Sequence, residues 1–296
     1  MNKAARRVWI KAVNLAFIGV FAFLLVYSGF VSAATARAVA FCLKNVIPSL
    51  FIYLVFSRRI TAITGVTKLC AHPLWGSVFT VLMGFLCGYP AGARNCVSLY
   101  ESGVISKKRG EYLCCLCSGA SVAFVLAFAG ASVMGSVKYG FKLLGFQFAA
   151  TLVTAVLFYP FLLKNDEKIM QSVTNVYIRK VDFSAAVSES AFLMVRICGF
   201  IVCFFVLGAI VSAVFPEQSL QSVLVKGLFE FSSGIAESAV YNIHTRELLC
   251  SLFLGFGSLS AIFQTVSVVK DVFSVKPFII SRLVIASLMT VFALLT

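Results

Sequence analysis

The chain has 296 residues, 60% of them apolar and only 12% charged, with a mean hydropathy of +0.99 and a formal net charge of +14. Soluble domains run at roughly 45–50% apolar and about 25% charged, so no soluble fold hides this much apolar surface; a bilayer does. The basic excess does not point to nucleic acid, because Lys and Arg sit between apolar runs, as in loops facing anionic lipid, and no basic stretch is interleaved with stacking aromatics.

In chain order, Lys3, Arg6, Arg7 and Lys11 precede an apolar run from Val13 to Val31. Ser32-Ala33-Ala34 looks like a cleavage site, but the run is longer than a signal-peptide core and more spans follow. The run is therefore expected to be a retained first helix, 8–31, with a cytoplasmic N-terminus. Further membrane segments are expected at 38–57, 74–100, 113–136, 139–163, 186–214, 220–243, 247–269 and 277–296. Two of them are broken. Gly84, Gly88, Pro90 and Gly92 interrupt 74–100, while Gly227 and Ser232-Ser233-Gly234 interrupt 220–243, which also carries Glu230 and Glu237. Lipid does not tolerate unpaired backbone groups, so both are read as re-entrant hairpins lining a cavity. That leaves seven crossings and puts Arg58, Arg59, Lys68, Lys107, Lys108 and Arg109 inside, with Lys164, Lys168, Arg179, Lys180, Lys270 and Lys276.

The predicted fold is an all-α, polytopic membrane helix bundle: an anchor helix (1–37), a first repeat (38–163), a cytoplasmic loop (164–185) and a second repeat (186–296). Ser136-Val137-Lys138 precedes the last helix of the first repeat and Ser274-Val275-Lys276 that of the second; at the same offset Gly119 aligns with Gly257. Three crossings per repeat invert the second copy. Inverted repeats with paired broken helices mark secondary transporters.

The candidate site lies where the two breaks meet. Gly88, Tyr89, Pro90 and Gly92 free backbone groups at membrane depth, and Arg94 offers a planar fork to a carboxylate. Glu230 is costly at that depth and needs a cavity or a partner, which makes it a candidate for coupling protons or sodium or for an internal ion pair. Glu237 is expected to be solvated. Ser118, Gly119 and Ser121, with Ser258 and Ser260, occupy equivalent places in the repeat and serve either a ligand or close packing; Gln264 either binds a ligand or ties helices together. Arg196 and Arg282 need partners inside apolar helices. The ten cysteines read as small buried thiols, with neither a disulfide framework nor the spacing of a metal site. There is no Walker motif and no Ser-His-Asp arrangement, so neither an enzyme nor a cofactor is expected.

Gly88-Tyr89-Pro90-x-Gly92-Ala93-Arg94 and Leu99-Tyr100-Glu101-x-Gly103-x-Ile105-Ser106 resemble the YlbJ-type sporulation integral membrane proteins of the nucleoside-recognition, or gate, group. Gly227-Leu228-Phe229-Glu230, Gly257-Ser258-Leu259-Ser260 with Gln264, and Lys276-Pro277-Phe278 with Arg282-Leu283 are similar to that family's second half. The family's Cys-Asn-Asn-x-Ser-Pro stands here as Cys117-Ser118-Gly119-Ala120-Ser121-Val122, without the asparagines or the proline. The resemblance implies endospore formation, kinship with nucleoside transporters and ferrous-iron permease gates, and movement of dipicolinate, a small aromatic dicarboxylate. The leading expectation is a permease for that anionic solute in a bacterial cell membrane or a forespore membrane. Its partners would be lipid and either a second copy or other sporulation membrane proteins. The alternatives are a non-transporting scaffold for spore-envelope assembly and a nucleoside or cation transporter.

Overall fold

The computed structural model describes residues 3–61, 63, 72–163 and 182–296. Lys68 and the basic residues from Lys164 to Lys180 lie outside the described residues. All the regular secondary structure of the described residues is helical, with no strand among them.

Helix α1 (Lys3–Val26) is exposed along nearly all its described side chains. One non-helical residue, Tyr27, separates it from α2 (Ser28–Phe41), and the bonds from Tyr27 N to Phe23 O and from Val31 N to Tyr27 O, both 3.0 Å, continue the helical pattern across it. A π-helical turn at Cys42–Val46 then leads into α3 (Ile47–Thr61). Pro48 lies just past this turn and has no N–H to give to the carbonyl of Lys44, which accounts for the locally wider winding.

This corrects the expected pair of spans at 8–31 and 38–57. Ser28–Thr61 is a single apolar helical run of 34 residues, passing through the position where a loop was expected. Ser32, Ala33, Ala34 and Thr35 have no breaker among them, so small polar composition alone does not end a helix there.

The first hairpin follows: α4 (Pro73–Cys87), a tip at Gly88-Tyr89-Pro90, and α5 (Ala91–Glu101). Next come α6 (Lys107–Cys117), a break at Ser118–Ser121, a π-wound segment at Phe124–Val133, and α7 (Val137–Leu162). The second half repeats this order. After α8 (Phe183–Ser212) come α9 (Leu220–Phe229), a tip at Glu230, and α10 (Phe231–Glu237). They are followed by α11 (Ile243–Phe256), a left-handed break at Gly257, α12 (Ser258–Val269) and α13 (Val275–Leu294). Ser136 and Ser274, the two matched serines of the sequence repeat, are the N-caps of α7 and α13.

Five helical runs are long and apolar enough to cross a bilayer: Ser28–Thr61, Val137–Leu162, Phe183–Ser212, Ile243–Val269 and Val275–Leu294. The segment expected to span 113–136 is not one of them, because its helix is cut at Ser118–Ser121. Exposed Val156, Phe161, Phe192 and Val195 give the bundle an apolar outer surface suited to lipid. The protein is a multi-pass membrane protein.

Contacts sort the helix termini into two ends. At one, Arg58 pairs with Glu189, Arg109 donates to the His72 carbonyl at 2.6 Å, and Glu111 accepts from Ser274 N at 3.0 Å. At the other, Lys142 pairs with Glu247 at 2.6 Å and Arg246 donates to the Val133 carbonyl at 3.0 Å. The first end gathers Arg58, Arg59, Lys107, Lys108, Arg109, Lys270 and Lys276.

Candidate solute site between the hairpin tips

The first hairpin is held by contacts only glycine permits. A Cβ on Gly84 or on Gly92 would collide with the carbonyl oxygen of Cys117, so α4 and α5 both lie against the last turn of α6. Gly88 at the tip has φ +67°, and a Cβ there would meet Ser121 N at 2.9 Å. In the second hairpin the arms touch glycine to glycine, at Gly227 and Gly234.

The breaks converge on a cavity of about 40 Å³. The first tip contributes Gly88 and Tyr89, the α6 break Ala120 and Ser121, the second tip Glu230 and Ser232, and α12 Gln264. Phe41, Val46, Leu50, Ile197 and Ile201 close it from α2, α3 and α8. The two segments read as broken from sequence therefore do meet, along with a third break.

Glu230 is fully buried, at 0% exposure. It caps α10: its Oε2 accepts from the Ser232 hydroxyl and from Ser233 N at 3.1 Å. Its Oε1 is buried and has no hydrogen-bond partner among the described residues. Glu237, expected to be solvated, is partly exposed and also holds Lys226 across the second break, each carboxylate oxygen 2.7 Å from Nζ.

Arg282, 2% exposed on α13, finds carbonyls rather than a carboxylate. It donates to Tyr89 Oη at 2.9 Å, to Cys115 O at 2.7 Å, and to Ser118 O. These carbonyls end α6, where the helix dipole concentrates negative charge. Gln147 of α7 takes the next free carbonyl of the break, Ala120 O, at 3.0 Å. Arg282 thus clamps Tyr89, which lines the cavity, to the α6 break. Sequence reasoning found that Arg282 needs a partner but not that the partner is the cut end of another helix. The cue available was the Ser118-Gly119 break itself.

The other predicted residues lie apart from the cavity lining. Pro90 and Gly92 pack the first hairpin, and half-buried Arg94 forms no ion pair among the described residues. Ser118 contributes its carbonyl to Arg282, and Gly119 packs against the Gln147 side chain. Ser260 accepts from Gln264 Nε2 at 3.1 Å, orienting a residue that does line the cavity. Ser258 sits at φ +64° with a buried, unpartnered hydroxyl just past left-handed Gly257, so the α11–α12 break is strained. Arg196 reaches the Ser267 carbonyl at 3.4 Å, and His72 caps α4 through Nδ1.

Comparison with protein-family models, with curated proteins and with solved structures finds no match.

Proposed function

We propose that this membrane protein is a secondary transporter whose solute site lies between the two hairpin tips, and that the solute is a small organic anion such as dipicolinate. The observation that carries the reading is the convergence of three helix breaks on one buried cavity, with a fully buried carboxylate among its lining residues. Broken helices at matching places in two halves are costly in lipid and are kept where they bind something. The repeated order of elements supports inverted repeats, since three crossings per half reverse the second copy. The basic residues gathered at one end of the bundle support a cytoplasmic assignment for that end.

The anion reading draws on the YlbJ-type resemblance and on Arg282, a buried cation with no carboxylate partner among the described residues, one side chain behind Tyr89. In the described state the cavity is far smaller than an aromatic dicarboxylate, since one water alone takes about 30 Å³ of liquid. An organic solute therefore enters only when the tips part. The test is counterflow of labelled dipicolinate in liposomes holding the purified protein, with uridine for comparison. Saturable dipicolinate exchange that fails in Tyr89→Ala supports the reading. Uridine exchange alone assigns nucleosides instead, and exchange of neither solute by folded protein refutes it.

A further inference from the structure

The Glu230 carboxylate divides its two oxygens between two tasks. Oε2 is used up in capping α10, held by the Ser232 hydroxyl and Ser233 N. Glu230 lines the 40 Å³ cavity, and its Oε1 is buried with no hydrogen-bond partner among the described residues. Among the described residues, no Lys, Arg or His lines that cavity. Of the nearby cations, Lys226 is engaged by both oxygens of Glu237 and Arg282 by carbonyls and Tyr89. A carboxylate in such surroundings is strongly destabilised unless a proton neutralises it or a cation is supplied to it.

The remaining polar atoms at the cavity are oxygens suited to a hard cation. Ser121 and Ser232 bring hydroxyls. Gln264, whose amide nitrogen is turned to Ser260, has its carbonyl oxygen to offer. Among the described residues no thiol lines the space, which disfavours soft metals. A single carboxylate matches one unit of positive charge, and the volume suits a small ion carrying about one water. We infer that Glu230, Ser121, Ser232 and Gln264 form a binding site for a monovalent alkali cation, Na⁺ in the first instance. Its role as a coupling ion rests on the transport reading: a cation there cancels the carboxylate's repulsion of an anionic solute beside Tyr89. The site itself does not depend on that reading.

The experiment measures binding without transport. The thermal unfolding midpoint of the full-length protein in detergent is followed while NaCl replaces choline chloride at constant ionic strength, with no organic solute present. A midpoint that rises and saturates with Na⁺ is expected. Glu230→Gln should abolish the rise. Because Glu230 also caps a helix, Ser121→Ala and Gln264→Leu, on other elements, provide the second reading: each should move the half-saturation concentration upward at least several-fold. Identical Na⁺ and choline titrations overturn the site, as does an undiminished Na⁺ response in all three variants. Saturable Na⁺ binding without dipicolinate flux leaves the site standing and refutes the transport reading. Dipicolinate flux without Na⁺ binding does the reverse.

Discussion

Replacing Arg282 with Met tests whether the guanidinium is what joins the first hairpin to the broken α6. The change nearly conserves volume and removes the donors to Cys115 O, Ser118 O and Tyr89 Oη. Each orphaned buried acceptor costs about 2 kcal/mol. Taking a charge out of membrane depth returns about 3 kcal/mol on the insertion scale. Cys115 O keeps the Ser281 hydroxyl at 3.4 Å, so two acceptors are orphaned and the loss exceeds the gain by roughly 1 kcal/mol. At about 2–4 °C per kcal/mol for chains approaching this size, the unfolding midpoint in detergent should fall by roughly 2–4 °C. A thiol-reactive dye reads this directly, because Cys114, Cys115 and Cys117 are buried beside the clamp. Arg282→Lys should recover part of the loss, since an ammonium cannot span all three acceptors as the fork does. Tyr89→Phe alone should cost about 1 kcal/mol and be non-additive with Arg282→Met. A midpoint unchanged or raised in Arg282→Met would show that the buried charge costs more than its bonds return, and would refute the clamp.

Gly92→Ala should drive the first hairpin off the Cys117 carbonyl and destabilise the protein by about 1–3 kcal/mol, seen as loss of the monodisperse peak in size-exclusion chromatography. Gly257→Ala adds a methyl where Tyr89 Oη sits and strains a left-handed residue at φ +82°, so it should lower both the unfolding midpoint and any flux. Lys142→Met leaves buried Glu247 without its ion pair; because Lys142 is itself partly exposed, the cost should be about 1–2 kcal/mol, relieved by adding Glu247→Gln in a double-mutant cycle. In a cysteine-free background, cysteines at Lys108 and at Gln218 should label from opposite sides of sealed vesicles, Lys108 from the cytoplasmic side; labelling from one side overturns the two-ended arrangement.

Much of this architecture was legible because lipid punishes broken helices. Gly84, Gly88, Pro90 and Gly92 mark the first break, and Ser232-Ser233-Gly234 beside Glu230 marks the second; each segment is cut into two helices there. The repeat was readable from Ser-Val-Lys because each serine stands at the N-cap position of the last helix of its half, Ser136 with a side-chain cap and Ser274 without one. The joint near residue 34 misled, because small residues are compatible with helix, and Ala34 and Ala38 are fully buried there, Ala34 against Val206 and Ala209 of α8. Arg94 misled for a different reason. A basic residue next to a glycine-rich tip suggests a ligand, but α5 starts at Ala91 and places Arg94 away from the cavity lining. Arg282, far from any motif of the first half, is the guanidinium behind the site. Only the tertiary crossing of α13 over the end of α6 brings it there.

The two halves share a frame but not a chemistry. Glu111, near the start of α6, holds the start of α13, while Glu247, near the start of α11, holds α7 through Lys142. Each broken helix is thus tied at its outer end to the last helix of the other half, one tie at each end of the bundle. Its inner end is left at the central breaks. The tips do not share this equivalence. The first presents glycine and a tyrosine whose hydroxyl is taken by Arg282, and the second presents a carboxylate with one oxygen unpartnered. A movement that separates the tips changes the surroundings of Glu230 far more than those of Gly88. Ion dependence should therefore follow the second hairpin, and substitutions confined to the first should alter solute affinity without abolishing the response to Na⁺.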